Sequence, residues 1–369
     1  VKKIRIALIY GGVSGEHPIS CATAGAIMRA LDPQRYDVIS IGIRRDGTWV
    51  PGESDPSKLD LSQGLTEVAP SDRRIVIPPG AGDQPLLEFS DDGEQARSLG
   101  PVDVAFPVLH GPFGEDGTVQ GLLEMAGIPY VGCGVFSSAA GMDKDFMKKV
   151  LIMAGIPVGP YVAVTARRWR THRDEVLADV STLSFPLYIK PARAGSSLGI
   201  SKVTSLDDVP SAVEAAHAYD PKVVIEQGIA GREVECAVLG GHGDQPSRAS
   251  VLGEVLLEAP EGGFYDFDSK YISTDGLTMS IPAQLDEATT QRVRELAVQT
   301  FDAFECEGLT RVDFFVPEEG EPIVNEINTM PGFTPFSMYP ALWGEAGVSY
   351  GELVDELVNL ALERPRGLR

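Results

Sequence analysis

The sequence predicts an α/β protein whose second half is α+β, on three observations. The chain opens with an apolar strand, Ile4–Tyr10, that passes through Gly11-Gly12 into a helix at Ser20–Leu31, a Rossmann-like start. A second apolar run, Val102–Val108, leads through a glycine-rich loop into a helix at Thr118–Ala126. Finally, Gly308–Pro340 reads as two short strands joined by an acidic turn, followed by a loop with Met330, Pro331 and Gly332.

The 369 residues are enough for two or three domains with substantial cores. A net charge of −22 argues against nonspecific binding to nucleic acid or anionic membranes. Basic residues serving an anionic ligand must therefore be concentrated locally. Cys21, Cys133, Cys236 and Cys306 show no CxxC spacing, which suits free thiols in a reducing compartment. The apolar run in VKKIRIALIYGG is too short for a signal peptide or a membrane span. A cytoplasmic protein is expected.

The loop GGVSGEHPIS places Glu16 and His17 at the carboxyl end of the first strand, where open α/β sheets bind ligands. It lacks the full GxGxxG pattern that would argue for a dinucleotide. Glu16 would also serve simply as a charge at a helix N-terminus, worth about 0.3–1 kcal/mol. Val38–Ile43 gives a second strand, and residues 44–100 read as an elaboration with short strands such as Arg74–Ile77 and no chemistry. His110 leaves its strand into a glycine loop, a position more typical of function than of packing.

Ser137–Ala154 reads as one helix containing Lys144, which on its own could be surface charge, with Lys148 and Lys149 continuing it. Phe185–Lys190 is a strand ending in PARAGSSLGISKV. A Gly-Ser loop between two strands can fold over phosphates with its N–H groups, with Lys190 as a point charge beside it; a mobile hairpin tip is the alternative. Asp207–Tyr219 is a helix and Val223–Glu226 a strand. Glu226, at its end, could accept from an adenosine amine or ribose hydroxyl, or be a solvated strand end. Glu233 and Glu235 alternate on the next strand, and after Val251–Leu256 the loop GGFYDFDSKYIS gathers Tyr265, Lys270 and Tyr271. Glu287–Glu305 and Tyr350–Leu362 read as amphipathic helices.

In the Gly308–Pro340 hairpin, alternation puts Arg311 and Asp313 on one face, and Glu326 and Asn328 on one face of the second strand. A register with Asp313 opposite Glu326 also sets Arg311 opposite Asn328. Opposed carboxylates repel and are best tolerated around a cation. An Asp, Glu and Asn oxygen set suits Mg²⁺ or Mn²⁺. A solvated hairpin face would carry the same residues.

The ordered set GGVSGEHPIS, HGPFGEDGTVQG, MDK, IKPARAGSSLG, EQGIAGRE, FYDFDSKY, RVDFF and NEINTMPGFTPFSMYP resembles the D-alanine–D-alanine ligases of the ATP-grasp superfamily, with only residues 44–100 uninformative. The resemblance implies a Rossmann-like N-terminal domain (1–132) followed by a two-part ATP-grasp fold, a central subdomain (133–225) and a C-terminal catalytic domain (226–369). ATP would lie between the last two. By position, Lys144 and Lys190 would contact the ATP phosphates, with Ser196 and Ser197 in the covering loop. Glu226, Gln227 and Glu233 would hold the adenosine, with the backbone near Ile229 lining the base pocket. Asp313, Glu326 and Asn328 match a site for two Mg²⁺ (or Mn²⁺), and K⁺ is a further candidate ion.

Glu16 matches the residue that binds the ammonium of the first D-alanine, and His110 one near its carboxylate. Arg311 and the Gly332 backbone would stabilise the anionic intermediate, and Ser337 and Met338 would meet the second D-alanine. Ser196 and Tyr271 would form a network with Glu16, and Lys270 would reach the transferred phosphate. His17-Pro18 departs from the family's usual residues, and Pro18 has no N–H to donate. Leu198 replaces a common valine.

The implied activity is ATP-dependent synthesis of D-alanyl-D-alanine through a D-alanyl phosphate for peptidoglycan precursors, in a homodimer with small-molecule substrates. Rival readings are a D-alanine–D-lactate or D-serine ligase, another ATP-grasp carboxylate–amine ligase, and a non-catalytic binder. The Lys270-Tyr271 pair disfavours the lactate ligase, since family members that make D-alanyl-D-lactate lack this tyrosine or the pair. A binder has no need of Arg311 with Asp313, Glu326 and Asn328.

Overall fold

Strand β1 (Ile4–Gly11) feeds helix α1 (His17–Ala30), which returns the chain to β2 (Tyr36–Ile43), parallel to β1. Pro18 sits in the first turn of α1, where its missing N–H costs nothing. The helix therefore starts three residues earlier than the apolar pattern predicts. Gly11 has φ 95°, and a Cβ there would lie 2.3 Å from the Ile43 carbonyl oxygen, so only glycine allows the tight exit from β1. The computed structural model describes residues 2–60, 64–80, 82, 84–195, 198–257 and 277–365.

Strand β3 (Trp49–Pro51) pairs with β2, and β4 (Arg73–Val76), β5 (Leu86–Ser90) and β6 (Ala96–Gly100) form a separate antiparallel sheet. Strand β7 (Val104–Pro107) then returns beside β1, giving the order β3-β2-β1-β7. The 44–100 elaboration is tied back to the first loop: the Val68 N–H donates to His17 Nε2 at 3.0 Å.

Helix α2 (Thr118–Ala126) matches its sequence boundaries. The helix expected over Ser137–Ala154 is instead two, α3 (Val135–Met142) and α4 (Lys144–Met153). The break is at Asp143, which is extended (φ −91°, ψ 102°) and caps α4 by accepting from the Asp145 and Phe146 N–H groups. Asp143 also pairs with Lys222 at 2.6 Å. Asp143→Ala is expected to cost about 1–2 kcal/mol, read as a lower urea midpoint at unchanged slope.

Strand β8 (Tyr161–Thr165) precedes the short helices α5 (Ala166–Thr171) and α6 (Arg173–Val180). Then come β9 (Leu187–Pro191), β10 (Ser201–Val203), α7 (Val209–His217) and β11 (Lys222–Gln227). These strands form an antiparallel sheet in the order β10-β9-β11-β8, so the Gly-Ser loop does link two paired strands. Strands β12 (Arg232–Leu239), β13 (Arg248–Leu257) and β14 (Leu277–Ser280) lead to helix α8 (Glu287–Ala303), then to β15 (Leu309–Val316) and β16 (Ile323–Asn328). Their sheet runs β14-β13-β12-β15-β16. Helices α9 (Met338–Glu345) and α10 (Tyr350–Glu363) close the described chain.

Alternation along β15 divides its faces. Val312, Phe314 and Val316 pack against Val293, Leu296, Ala297 and Phe301 of α8. The opposite face carries Arg311 and Asp313, both half-buried. At one end of that face Ala237, Leu239 and Leu309 share a core with α9, α10 and the N-terminal residues Ile6, Leu8, Tyr10 and Phe106. Hydrogen bonds stitch this junction: Tyr339 Oη to the Val238 carbonyl at 3.0 Å, Tyr350 Oη to the Phe333 carbonyl at 2.8 Å and Tyr36 Oη to Asp355 at 2.6 Å. The C-terminal helices thus join the polar face of the last sheet to the N-terminal unit. Among the described residues no helix is long and apolar enough to cross a membrane.

Candidate active site

The β15–β16 register pairs Asp313 with Glu326 and Arg311 with Asn328, as the hairpin pattern predicts. Strand β12 extends both rows, because Glu235 lies opposite Asp313 and Ala237 opposite Arg311. Three carboxylates therefore stand side by side across three strands, an arrangement that like-charge repulsion disfavours without compensating cations. Arg311 supplies one: its Nε lies 2.8 Å from Glu235 and 2.7 Å from Asp313, and its Nη2 lies 2.7 Å from Asp313. Burial works against this guanidinium charge, but Asp313 and Glu235 hold its pKa well above the ordinary value. Asn328 Nδ2 donates to Asp313 at 3.0 Å.

The donor chemistry here fits a hard divalent cation. Asp313, Glu326 and Asn328 are oxygen donors on neighbouring strands. Among the described residues no three His, Cys, Asp or Glu side chains converge closely enough to hold a metal alone.

A basic wall stands against this acidic one. Lys144, at the start of α4, donates to the Ala194 carbonyl at 2.9 Å and lies 3.7 Å from Glu326. It is not a solvated surface charge. Lys190 lies 2.5 Å from one oxygen of Glu226, and Lys148 lies 3.0 Å from the other. Burial alone would raise the Glu226 carboxyl, but Lys190 and Lys148 hold it down to about 2. Burial would likewise lower Lys190, yet Glu226, then Glu326 and Glu233, keep its pKa raised. Lys190 is thus within electrostatic reach of carboxylates on both sheets. Gln227 donates its N–H to the Pro160 carbonyl at 3.0 Å and accepts from the Ser184 N–H at 3.0 Å. A Cβ on Gly159 would lie 2.7 Å from Ile229, so Ile229 packs over that turn. Glu233 is exposed on the Glu235 side of β12.

The N-terminal loops supply a third wall. Glu16 is the N-cap residue of α1. Cβ atoms on Gly111 and Gly195 would lie 3.6 and 3.7 Å from Glu16 Oε2, so its carboxylate meets both glycine loops. His110 Nδ1 faces the Met330 carbonyl at 3.2 Å, and its buried Nε2 has no partner among the described residues. Burial lowers the His110 pKa while the Glu16 charge opposes it. Glu115 accepts from the Gly111 N–H at 2.6 Å and is pushed up to about 8 by burial and then by Glu16. His17 is structural: Nδ1 faces the Gly12 carbonyl at 2.6 Å and Nε2 accepts from Val68.

A Cβ on Gly332 would lie 3.2 Å from Ser337 Oγ, and that oxygen accepts from the Thr334 N–H at 3.1 Å. Ser337 is the N-cap of α9. The Met338 side chain is buried, and a Cβ on Gly253 would lie only 2.4 Å from its sulfur. Only its backbone is left to face a ligand. Ser196, Ser197, Lys270 and Tyr271 lie outside the described residues.

Lys148, Glu115 and Glu235 are the site residues that sequence reasoning missed. Glu235 alternates with Glu233, which was a usable signal, and Glu115 follows Gly111 in the same loop. Nothing local distinguishes Lys148 from its neighbour Lys149.

Comparisons with known proteins agree along the whole chain. Residues 5–133 match the family model described as D-ala D-ala ligase N-terminus, and residues 150–359 match D-ala D-ala ligase C-terminus. A D-alanine–D-alanine ligase of Arthrobacter sp. (strain FB24) is 52% identical over 368 residues, covering 100% of this chain and 96% of that protein. Among solved structures, the VanG D-Ala:D-Ser ligase of Enterococcus faecalis is 36% identical with a TM-score of 0.83, covering 98% of this chain and 100% of its own. The D-alanine–D-alanine ligase of Coxiella burnetii is 33% identical with a TM-score of 0.80, covering 99% of this chain and 95% of its own.

Proposed function

Because the chain belongs to the D-alanine–D-alanine ligase family, we propose that it joins two D-alanines at the expense of ATP, through a D-alanyl phosphate, for peptidoglycan precursor synthesis. The observation that carries this reading is the row Glu235–Asp313–Glu326 with Arg311 lodged in it, facing Lys144 and Lys190 across a cleft. The same reading divides the chain at 1–132, 133–225 and 226–369, and takes it to be a cytoplasmic homodimer with K⁺ as a further candidate ion.

Phosphoryl transfer needs mainly positioning and charge neutralisation. Lys144 and Lys190 would hold the ATP phosphates, with Ser196, Ser197 and Lys270 closing over them. Glu226, Gln227, Glu233 and the Ile229 backbone would hold the adenosine. Asp313, Glu326 and Asn328 would hold two Mg²⁺ (or Mn²⁺), which when bound neutralise the phosphate charge.

The ammonium of the first D-alanine fits the Glu16 carboxylate, and His110 borders its carboxylate. One oxygen of that carboxylate attacks the γ-phosphorus and ADP departs. The amine of the second D-alanine, placed by Ser337 and the Met338 backbone, then attacks the acyl carbon. Phosphate leaves with the oxygen that bridged carbon and phosphorus, and the amine proton must be removed. Arg311 Nε and Nη2 are engaged by Glu235 and Asp313, and Nη1 with the Gly332 backbone would donate to the developing oxyanion. Tyr271, in a network with Ser196 and Glu16, orients or deprotonates the amine.

The test is phosphate release and product analysis with ATP, Mg²⁺ and D-alanine, alone or with D-lactate or D-serine. D-alanine alone should suffice, and D-alanyl-D-alanine should dominate each mixture at neutral pH. The structural likeness to a D-Ala:D-Ser ligase makes D-serine the sharper competitor, and a predominant D-alanyl-D-serine product would replace this reading. Tyr271→Phe is expected to slow dipeptide synthesis by about 10²-fold at neutral pH; wild-type synthesis would remove Tyr271 from the mechanism.

A further inference from the structure

Glu226 is held by two ammonium groups, and the two are not equivalent. Lys148 meets Oε1 at 3.0 Å with its side chain 3% exposed, and Lys190 meets Oε2 at 2.5 Å with 13% exposed. Lys190 leaves β9 toward the cleft and also feels Glu326 and Glu233 of the opposite sheet. Lys148 sits one helical turn after Lys144 on the same face of α4, with its ammonium 5.6 Å from the Tyr161 ring centre. It is walled in. Of the two ammonium groups, Lys190 is the more exposed and the one within electrostatic reach of the opposite sheet.

A lysine cannot serve a phosphate fully while it neutralises Glu226. If Lys190 turned to phosphate with no other cation present, Glu226 would become a buried carboxylate without a counter-ion, a costly state even with the neutral adenosine amine donating to it. We propose that Lys148 is a positioning residue for ATP binding: it remains as the counter-ion of Glu226 when Lys190 swings from that carboxylate to the ATP phosphates. The inference rests on the reading of Lys190 as a phosphate contact. It assigns Lys148 no contact with ATP.

The groups around Glu226 make the consequence specific. Lys148 comes from α4, Lys190 and Tyr188 from β9, and Tyr161 from β8, with Asp145 beyond Tyr161. Burial, then Asp145 and Glu226, push Tyr161 up to about 12, so it stays neutral near pH 7. Without Lys148, Glu226 has Lys190 as counter-ion in the free protein but no counter-ion once ATP engages Lys190. Its carboxyl would then bind a proton more tightly in the ATP complex than in the free protein. ATP binding would take up a proton, and affinity would fall as pH rises.

The experiment is calorimetric titration with a non-hydrolysable ATP analogue and Mg²⁺, in two buffers of different ionisation heat, across about pH 6 to 8.5. Lys148→Met should weaken binding about tenfold or more at the alkaline end, recover on acidification and take up close to one proton more than wild type. Lys148→Arg should restore affinity and abolish that uptake. The double variant Lys148→Met/Glu226→Gln should lose the extra uptake and the pH dependence. If Lys148→Met fails to fold, Lys148→Gln should show the same uptake. Wild-type affinity without uptake, or weaker binding that is independent of pH and proton-silent, overturns the proposal. Lys190→Met is the separate control: unchanged nucleotide affinity in that variant would mean the phosphate reading of Lys190 is wrong.

Discussion

Arg311→Ala is expected to lower kcat by on the order of 10²–10³ while leaving the affinity for ATP within a few-fold of wild type. Arg311 is held by Glu235 and by Asp313, itself a proposed metal ligand, rather than by residues assigned to the nucleotide. Its proposed role is at the acyl carbon, where negative charge develops on oxygen in the second step. A group acting only in the transition state lowers kcat and kcat/KM together. Arg311→Lys separates charge from shape, because lysine keeps the cation but cannot span Glu235 and Asp313 with a planar fork. It should recover only part of the loss. Nearly full activity in Arg311→Ala would remove the oxyanion role.

Asp313→Asn and Glu326→Gln should each raise the Mg²⁺ concentration for half-maximal activity by about 10–100-fold, by analogy with the loss when a ligand's supporting partner is removed. The two variants differ in side effects. Asp313 also holds Arg311 through two hydrogen bonds and accepts from Asn328, so Asp313→Asn should lower kcat even at saturating Mg²⁺. Glu326 lies 3.7 Å from Lys144 and also acts on the charges of Lys190 and Arg311, but Arg311 donates its hydrogen bonds to Asp313. Glu326→Gln should recover more of its turnover as Mg²⁺ is raised. Activity titrations with Mg²⁺ and Mn²⁺ check both, and an unshifted requirement would take the residue out of the metal set.

The hairpin was the most legible part of the chain. Period-two alternation and a short turn left few registers, and the one that opposes Asp313 to Glu326 is observed. The third carboxylate of the row was not legible, because β12 and β15 are nearly eighty residues apart and no local pattern sets their register. Lys148 and Lys149 look alike in sequence, yet one is buried on Glu226 and the other has an exposed side chain that reaches the buried Asp145. The α3–α4 break had a readable sign: Asp143 is a strong N-cap residue in an otherwise continuous pattern. Pro18 was a similar sign for the start of α1. The burial of Met338 depends on the missing side chain of Gly253, two strands away from the row's centre. Roles for Lys144 and Glu16 came from resemblance; the structure adds that both lie against the Ala194–Gly195 loop.

The central claim is that the site makes an acyl phosphate from one D-alanine and captures it with the amine of another. D-alanine labelled with ¹⁸O in its carboxylate, supplied with unlabelled ATP, tests it most directly. The bridging oxygen leaves with phosphate, so each dipeptide formed should be matched by one phosphate carrying one labelled oxygen. Unlabelled phosphate alongside normal dipeptide synthesis would contradict the account.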